Sequence, residues 1–234
     1  MSCINSTSRI AALVAISVLP LFVASARAQI VNGDFETPTV ATGAFTQFIG
    51  GSNMGGWTVL GRDVILVETT YSEVSNGINS FSAQSGKQAL DITGSGNTGA
   101  TDGIQQAITT TPGQTYQLSF YVGRASGNSL YATPSTVNLS INGGAVTSFT
   151  NASSTAGTVN WQQFFAPFTA NGTSTTIAFL NGTSTVANGG NNYAGLDNVS
   201  ITAVPEAGTF ALALAPALGV FGVVIARRRK SAAA

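Results

Sequence analysis

Between residues 29 and 203 apolar side chains recur at every second position, in short runs cut by Gly, Pro and Asn. In Thr115–Val122 the residues Tyr116, Leu118, Phe120 and Val122 fall on one face, with Gln117, Ser119 and Tyr121 on the other. Val137, Leu139 and Ile141 alternate with Asn138, Ser140 and Asn142; Val199 and Ile201 alternate with Asn198, Ser200 and Thr202. Strict alternation marks a strand buried on one face only. Further strands are predicted at Asp63–Glu68, Gln88–Thr93, Ile104–Thr109, Phe164–Thr169 and Thr175–Leu180. Pro112-Gly113, Asn142-Gly143-Gly144, Asn171-Gly172 and Asn181-Gly182 supply turns between them. Eight or more short strands at this spacing predict an all-β fold, an antiparallel two-sheet sandwich of jelly-roll-like topology. Gly94–Gly103 and Asn181–Asn192 read as exposed loops, and no internal repeat is evident.

The two ends do not share this pattern. Arg9, the apolar run Ile10–Val23 and Ala26-Arg27-Ala28 have the order of a signal peptide, with an A-x-A cleavage site and a mature chain starting at Gln29. The alternative is an uncleaved signal anchor, which the A-x-A pattern and Pro20 disfavour. At the other end Phe210–Ala226 is apolar and uncharged. As a helix it would reach roughly 26 Å, near the ~30 Å of a hydrocarbon core. Arg227, Arg228, Arg229 and Lys230 follow it and would keep the C-terminus cytoplasmic. The expected layout is a signal helix over 1–28, a sandwich domain over 29–203 and a single transmembrane helix over 210–226. A buried helix of a soluble domain is the competing reading of that last segment, but it has no need of a tetrabasic end.

Charge and residue types exclude much chemistry. Six of the nine cations lie in the two end segments, which leaves Arg62, Lys87 and Arg124 against eight carboxylates in the domain. An acidic domain of this kind has no electrostatic footprint for nucleic acid. The chain has no His, and its one Cys, Cys3, lies in the signal segment. A Ser-His-Asp or Cys-His nucleophile, a Cys/His zinc site and a disulfide within the domain are therefore excluded.

The tail Val204-Pro205-Glu206-Ala207-Gly208-Thr209, the apolar run and the basic cluster over 204–230 resemble the sorting signal of PEP-CTERM proteins of Gram-negative bacteria. Ala207 stands where that family has a second proline. The resemblance implies recognition by an exosortase, a membrane transpeptidase-like protease. It implies export through the inner membrane, a membrane-tethered precursor, and delivery to the cell surface or extracellular matrix.

A second resemblance covers residues 30–203. Val31-Asn32-Gly33-Asp34-Phe35-Glu36, Gly56-Trp57, Gly86-Lys87-Gln88-Ala89-Leu90-Asp91, Gly103-Ile104-Gln105-Gln106 and Thr111-Pro112-Gly113-Gln114-Thr115-Tyr116 occur in order. Trp161 and Gly195-Leu196-Asp197-Asn198-Val199-Ser200 close the series. This is similar to the galactose-binding-like sandwiches, including DUF642-type and carbohydrate-binding-module domains. It implies a structural calcium ion, for which Asp34, Glu36 and Asp197 are the candidates, the alternative being that Asp34 and Asp197 only bond backbone amides. It also implies a non-catalytic glycan-associated role. For stacking on sugar, Tyr131 and Tyr193 are chosen among Trp57, Tyr71, Tyr131, Trp161 and Tyr193, because they lie in Gly/Ser/Asn-rich surroundings. Trp57 and Trp161 read as core. Glu68 and Glu73 are the closest Glu pair in the domain, and a spacing of five predicts opposite faces of one strand, a poor glycosidase pair. A self-associating coat component and a polysaccharide hydrolase remain the alternative functions.

Overall fold

The computed structural model describes residues 28–95, 101–127, 131, 133–184 and 192–205. These residues form an all-β, jelly-roll-like sandwich of two antiparallel six-stranded sheets. The strands are β1 (Phe45–Ile49), β2 (Asn53–Met54), β3 (Trp57–Leu60), β4 (Asp63–Glu68), β5 (Gln88–Asp91) and β6 (Gly103–Thr109). They continue as β7 (Thr115–Ala125), β8 (Ser135–Ile141), β9 (Thr147–Asn151), β10 (Val159–Thr169), β11 (Ser174–Asn181) and β12 (Gly195–Ala203). The first sheet runs β1-β4-β5-β12-β7-β10, the second β2-β3-β6-β11-β8-β9.

All eight strands expected from alternation are present. β10 begins at Val159 rather than Phe164, and β1, β2, β3 and β9 add to the expected set. Among the described residues no helix is long and apolar enough to cross a membrane. The expected signal and tail helices lie outside the described residues, as do Ala26, Glu206–Thr209 and the basic cluster. So do residues 96–100 and 185–191 of the two expected loops. Val204 is still part of the sandwich: its N–H donates to Thr115 O at 2.9 Å and its carbonyl accepts from Gln114 Nε2 at 2.7 Å.

The core follows from register. Directly opposite residues of antiparallel strands share a face, so Leu66, Leu90, Leu196 and Val122 form one inward row across four strands. All four are fully buried. From the second sheet Trp57, Ile104, Val137, Ile177 and Phe179 meet them. Phe120 is the aromatic centre, with ring centroids 4.9 Å from Phe179, 5.1 Å from Phe149 and 6.2 Å from Phe164. Trp57 is core as expected, with Nε1 donating to Asn32 O at 2.9 Å.

Two buried glutamines tie the segment before β1, which has no strand pairing of its own, to both sheets. Gln106 accepts from Val31 N at 2.8 Å and donates to Val31 O and Gly56 O. Gln88 accepts from Val40 N and donates to Phe35 O at 2.7 Å and Pro38 O at 3.0 Å. Gly33 lets that segment lie against β12: Val199 N donates to Gly33 O, and a Cβ at Gly33 would fall 2.0 Å from Val199 O.

Phe120→Ala is expected to lower unfolding stability by about 3–5 kcal/mol, the usual cost of deleting a fully buried ring. Urea denaturation monitored by tryptophan fluorescence measures it.

Candidate functional site

The outer face of the first sheet carries a second apolar cluster. It arises because the 19-residue connection from Thr69 to Lys87 crosses that face instead of turning directly from β4 into β5. The connection buries Ile78 and Phe81 against Val67, Ala125, Val159, Tyr131 and Tyr193. Its path is fixed at several points. Glu73 and Ile78 exchange main-chain bonds, Asn79 N donates to Gly157 O at 2.7 Å, and Trp161 Nε1 donates to Ser82 O at 2.9 Å. Near its end Asp197 Oδ2 accepts from Gln84 N and Ser85 N, and Glu36 Oε1 accepts from Lys87 N and Gln88 N.

The sheet beneath is shaped to receive it. Ile65, Asp91, Gly195, Gly123 and Trp161 form one outward row over β4, β5, β12, β7 and β10. The glycine pair leaves space that rings fill. A Cβ at Gly123 would lie 2.7 Å from the Trp161 ring, and one at Gly195 would lie 2.7 Å from Tyr193 and 2.8 Å from Trp161. Trp161, expected in the core, is instead half-buried on this outer face.

Between the crossing segment and the sheet lies a cavity of about 230 Å³. Phe45, Ile65, Val67, Tyr71, Phe81, Tyr131 and Tyr193 supply its apolar and aromatic walls; Glu73, Asp91, Ser95 and Asn192 supply polar groups. The rings form a connected series, Phe45 to Tyr71 at 5.2 Å, Tyr71 to Phe81 at 5.6 Å, then Phe81 to Tyr193 at 5.2 Å and to Tyr131 at 5.7 Å. The two tyrosines singled out from sequence therefore line one cavity, 62 positions apart in the chain. Phe81 and Asp91 gave no separate signal as site residues, since each reads as an ordinary member of a loop or strand.

The polar groups differ in how far the protein satisfies them. Glu73 accepts from Tyr131 OH at 2.7 Å, Asn76 Nδ2 at 2.7 Å and Tyr71 OH at 3.3 Å. Asp91 accepts from Thr93 N, Thr93 Oγ1 and Ala194 N, all on Oδ1, so Oδ2 takes part in none of these bonds. Burial pushes the Asp91 carboxyl up to about 7, against the opposing pull of those three donors. Burial, with Asp91, Asp197 and Tyr131 nearby, raises the Tyr193 phenol well above the ordinary value. Its hydroxyl is buried and has no hydrogen-bond partner among the described residues. The Tyr71 phenol is also raised, by burial and then by Glu73.

Glu68 and Glu73 are not opposite faces of one strand. Glu68 ends β4 and accepts from Gly43 N, Thr70 N and Thr70 Oγ1. Burial works to raise its carboxyl, but the Thr70 hydroxyl, the two amides and Lys87 outweigh that and hold it below the usual range. Glu73 belongs to the crossing segment.

Among the described residues the three calcium candidates are not gathered into one carboxylate cluster. Glu36 uses one oxygen and Asp197 both for main-chain amides, Asp197 Oδ1 taking Asn198 N at 2.7 Å besides the two bonds above. Asp34 is exposed. Among the described residues no three Asp, Glu, His or Cys side chains gather as a metal site. Burial raises the Asp197 carboxyl to about 7, despite its three amide donors.

These acids give stability a specific pH dependence. With folded values near 7 against 3.8 for the free group, the folded chain holds protons that the unfolded chain releases between those limits. Stability should therefore fall as pH rises through that window, by up to about 1.4 kcal/mol per unit for each carboxyl. Glu68 acts oppositely, and its contribution is lost only as pH falls below the ordinary value of 4.5. Urea midpoints are expected to be higher at pH 5 than at pH 8, with Asp91→Asn reducing the difference.

Among solved structures the chain is similar to a cyclase from Fischerella sp. TAU, crystallised with 4-(1H-indol-3-yl)butan-2-one. The TM-score is 0.54 at 17% identity, covering 77% of this chain and 98% of that one. Weaker likenesses include TmCBM61 in complex with β-1,4-galactotriose, with a TM-score of 0.40 at 14% identity over 76% of this chain and 100% of that one. The CBM22-1 xylan-binding domain of Paenibacillus barcinonensis Xyn10C gives 0.38 at 18% identity, over 72% and 99%. At these identities the likeness concerns the fold. No curated protein matches the chain. The model of DUF642, a protein family of unknown function, matches residues 28–201, and the chain belongs to that family.

Proposed function

We propose that this chain is an exported, exosortase-sorted protein of a Gram-negative cell surface or extracellular matrix, and that its sandwich binds glycan without catalysis. The observation that carries the binding reading is the aromatic cavity on the outer face. Rings from β1, from the crossing segment and from the approach to β12 surround carboxyl, amide and phenol groups. The apolar face of a pyranose stacks on such rings, while a few placed polar groups fix its hydroxyls. The weak likenesses to galactotriose- and xylan-binding modules are compatible with this reading but add no weight to it. The delivery reading rests on the two end segments; its partners are an exosortase, the inner membrane before processing, and an extracellular polysaccharide.

One observation favours a second reading. Glu73 and Asp91 line the same cavity, and Asp91 at about 7 is placed to hold a proton near neutrality. Two carboxyls in contrasting environments are the equipment of a glycoside hydrolase. Release of reducing sugar that disappears in Asp91→Asn would establish that reading over the non-catalytic one.

Binding is tested with the full chain in detergent against secreted polysaccharides, in calcium and in EDTA. Equal binding in both is expected. Tyr71→Ala removes the ring joining Phe45 to Phe81 and should weaken binding at least tenfold with an unchanged circular-dichroism spectrum. Concentration-dependent assembly with no glycan bound would favour the coat component instead. For delivery, intact mass of the surface protein should lack Phe210–Ala234; a mature protein retaining it refutes processing.

A further inference from the structure

We infer that the outer-face cavity takes the single terminal residue of an uncharged glycan, inserted end-on, rather than an internal stretch of chain; this rests on the glycan-binding reading above.

Size is the first argument. A cavity of about 230 Å³ falls below the roughly 300–1,000 Å³ of sites that enclose drug-sized ligands. That size suits one enclosed sugar ring better than a stretch of several. The lining comes from separate parts of the chain: β1, β4, the crossing segment, the residues just after β5, Tyr131, and the approach to β12. The walls thus come from six separate segments and not from residues along one strand.

The second argument is the hydroxyl of Tyr193. The residue is only 3% exposed, its ring is wedged against Gly195 and Phe81, and its hydroxyl lacks a partner among the described residues. A buried hydroxyl without a hydrogen bond is a standing cost to the fold. A ligand hydroxyl that reaches it removes that cost. Asp91, also buried and lining the same cavity, makes its three bonds through Oδ1 and leaves Oδ2 out of them. A terminal residue can sink its free end to these groups. An internal residue is substituted at both ends and cannot.

The third argument is charge. Glu73 and Asp91 line the cavity and, among the described residues, no Lys or Arg does. Arg62 reaches the rim residue Ser95 at 3.1 Å, but it is paired with Asp63 at 3.2 Å. A uronate or sulfated sugar would meet carboxyls without a facing cation, whereas the hydroxyls of a neutral sugar can donate to them.

The experiment uses the full chain and the polysaccharides that it binds in the screen. Competitors are methyl glycosides of glucose, galactose and mannose, glucuronate and galacturonate, and cyclic glucans, which have no ends. Capacity on a polymer cut to several lengths should scale with the number of chain ends. A neutral methyl glycoside should displace the polymer, and the uronates and cyclic glucans should not. Tyr193→Phe should lose at least tenfold in affinity while melting no lower than the wild type. Asp91→Asn gives an independent second variant with the same expected loss of affinity. Capacity that scales with polymer mass, displacement by cyclic glucans or uronates, or wild-type affinity in both variants would overturn the end-on inference and leave glycan binding standing. Absence of binding to every polysaccharide would overturn the glycan reading itself.

Discussion

The carboxylate of Asp197 holds together the parts of the molecule that sheet pairing alone does not. It sits where the β12–β7 register shifts between Asp197 and Ser200, and the next residue, Asn198, has φ of 51°. The bulge turns the fully buried side chain to accept Asn198 N and the two amides of Gln84 and Ser85. The crossing segment is thereby fastened to the central strand of its sheet just before it enters β5. A bulge is a common way of re-aiming one side chain without abandoning the strand. Here it converts a long β4–β5 connection into a roof. With the Asn79–Gly157 and Trp161–Ser82 bonds, this fastening sets the distance of Tyr71, Glu73 and Phe81 from Asp91 and Tyr193.

The glycine row complements that fastening from below. A sheet face normally presents side chains at every second position, which would hold a crossing segment well away from the backbone. Gly195 and Gly123, adjacent across β12 and β7, remove two of them. Tyr193 and Trp161 then lie over bare backbone, and Trp161 spends its N–H on the crossing segment at Ser82. One outward row thus lowers the floor, while the neighbouring inward row, Leu66, Leu90, Leu196 and Val122, is core. Site and core are built from alternate residues of the same strands, so a change of register in one would displace the other.

This alternation explains what could be read from the chain. β7 and β8 carry their inward residues at every second position, as does β12 beyond its bulge at Val199 and Ile201, and that period survives in the sequence. β1 and β9 are edge strands with mostly exposed residues, and the first half of β10 is similarly half-polar, so burial leaves little pattern there. Pro167 in β10 is tolerated because that strand is an edge. β2 and β3 are short and separated by Gly55 and Gly56, both with positive φ. The motifs of the second resemblance mark the joins: Gln88 and Gln106 bind the opening segment, and Gly195 and Asp197 hold the site. Tyr131 and Tyr193 could be singled out because polar, small residues surround them. Phe81 could not, because nothing in its neighbours announces that the segment folds back over a sheet. Nor could Asp91, whose outward position matters only because something covers it.

The buried polar groups can be ordered by how much of their hydrogen bonding the fold itself provides. Asp197 receives three amides on its two oxygens. Gln88 and Gln106 use both ends of their amides. Asp91 has three donors on one oxygen, and Tyr193 has none among the described residues. A polar group retained for structure tends to be satisfied by structure, because an unmet donor or acceptor in the interior costs about 1–3 kcal/mol. Phenylalanine at 193 would fill the same space against Gly195 and Phe81 without that cost. The hydroxyl is then best understood through something outside the fold. Asp197 and Asp91 are both buried acids raised to about 7, yet only the partner atoms distinguish the one that builds the roof from the one that faces the cavity beneath it.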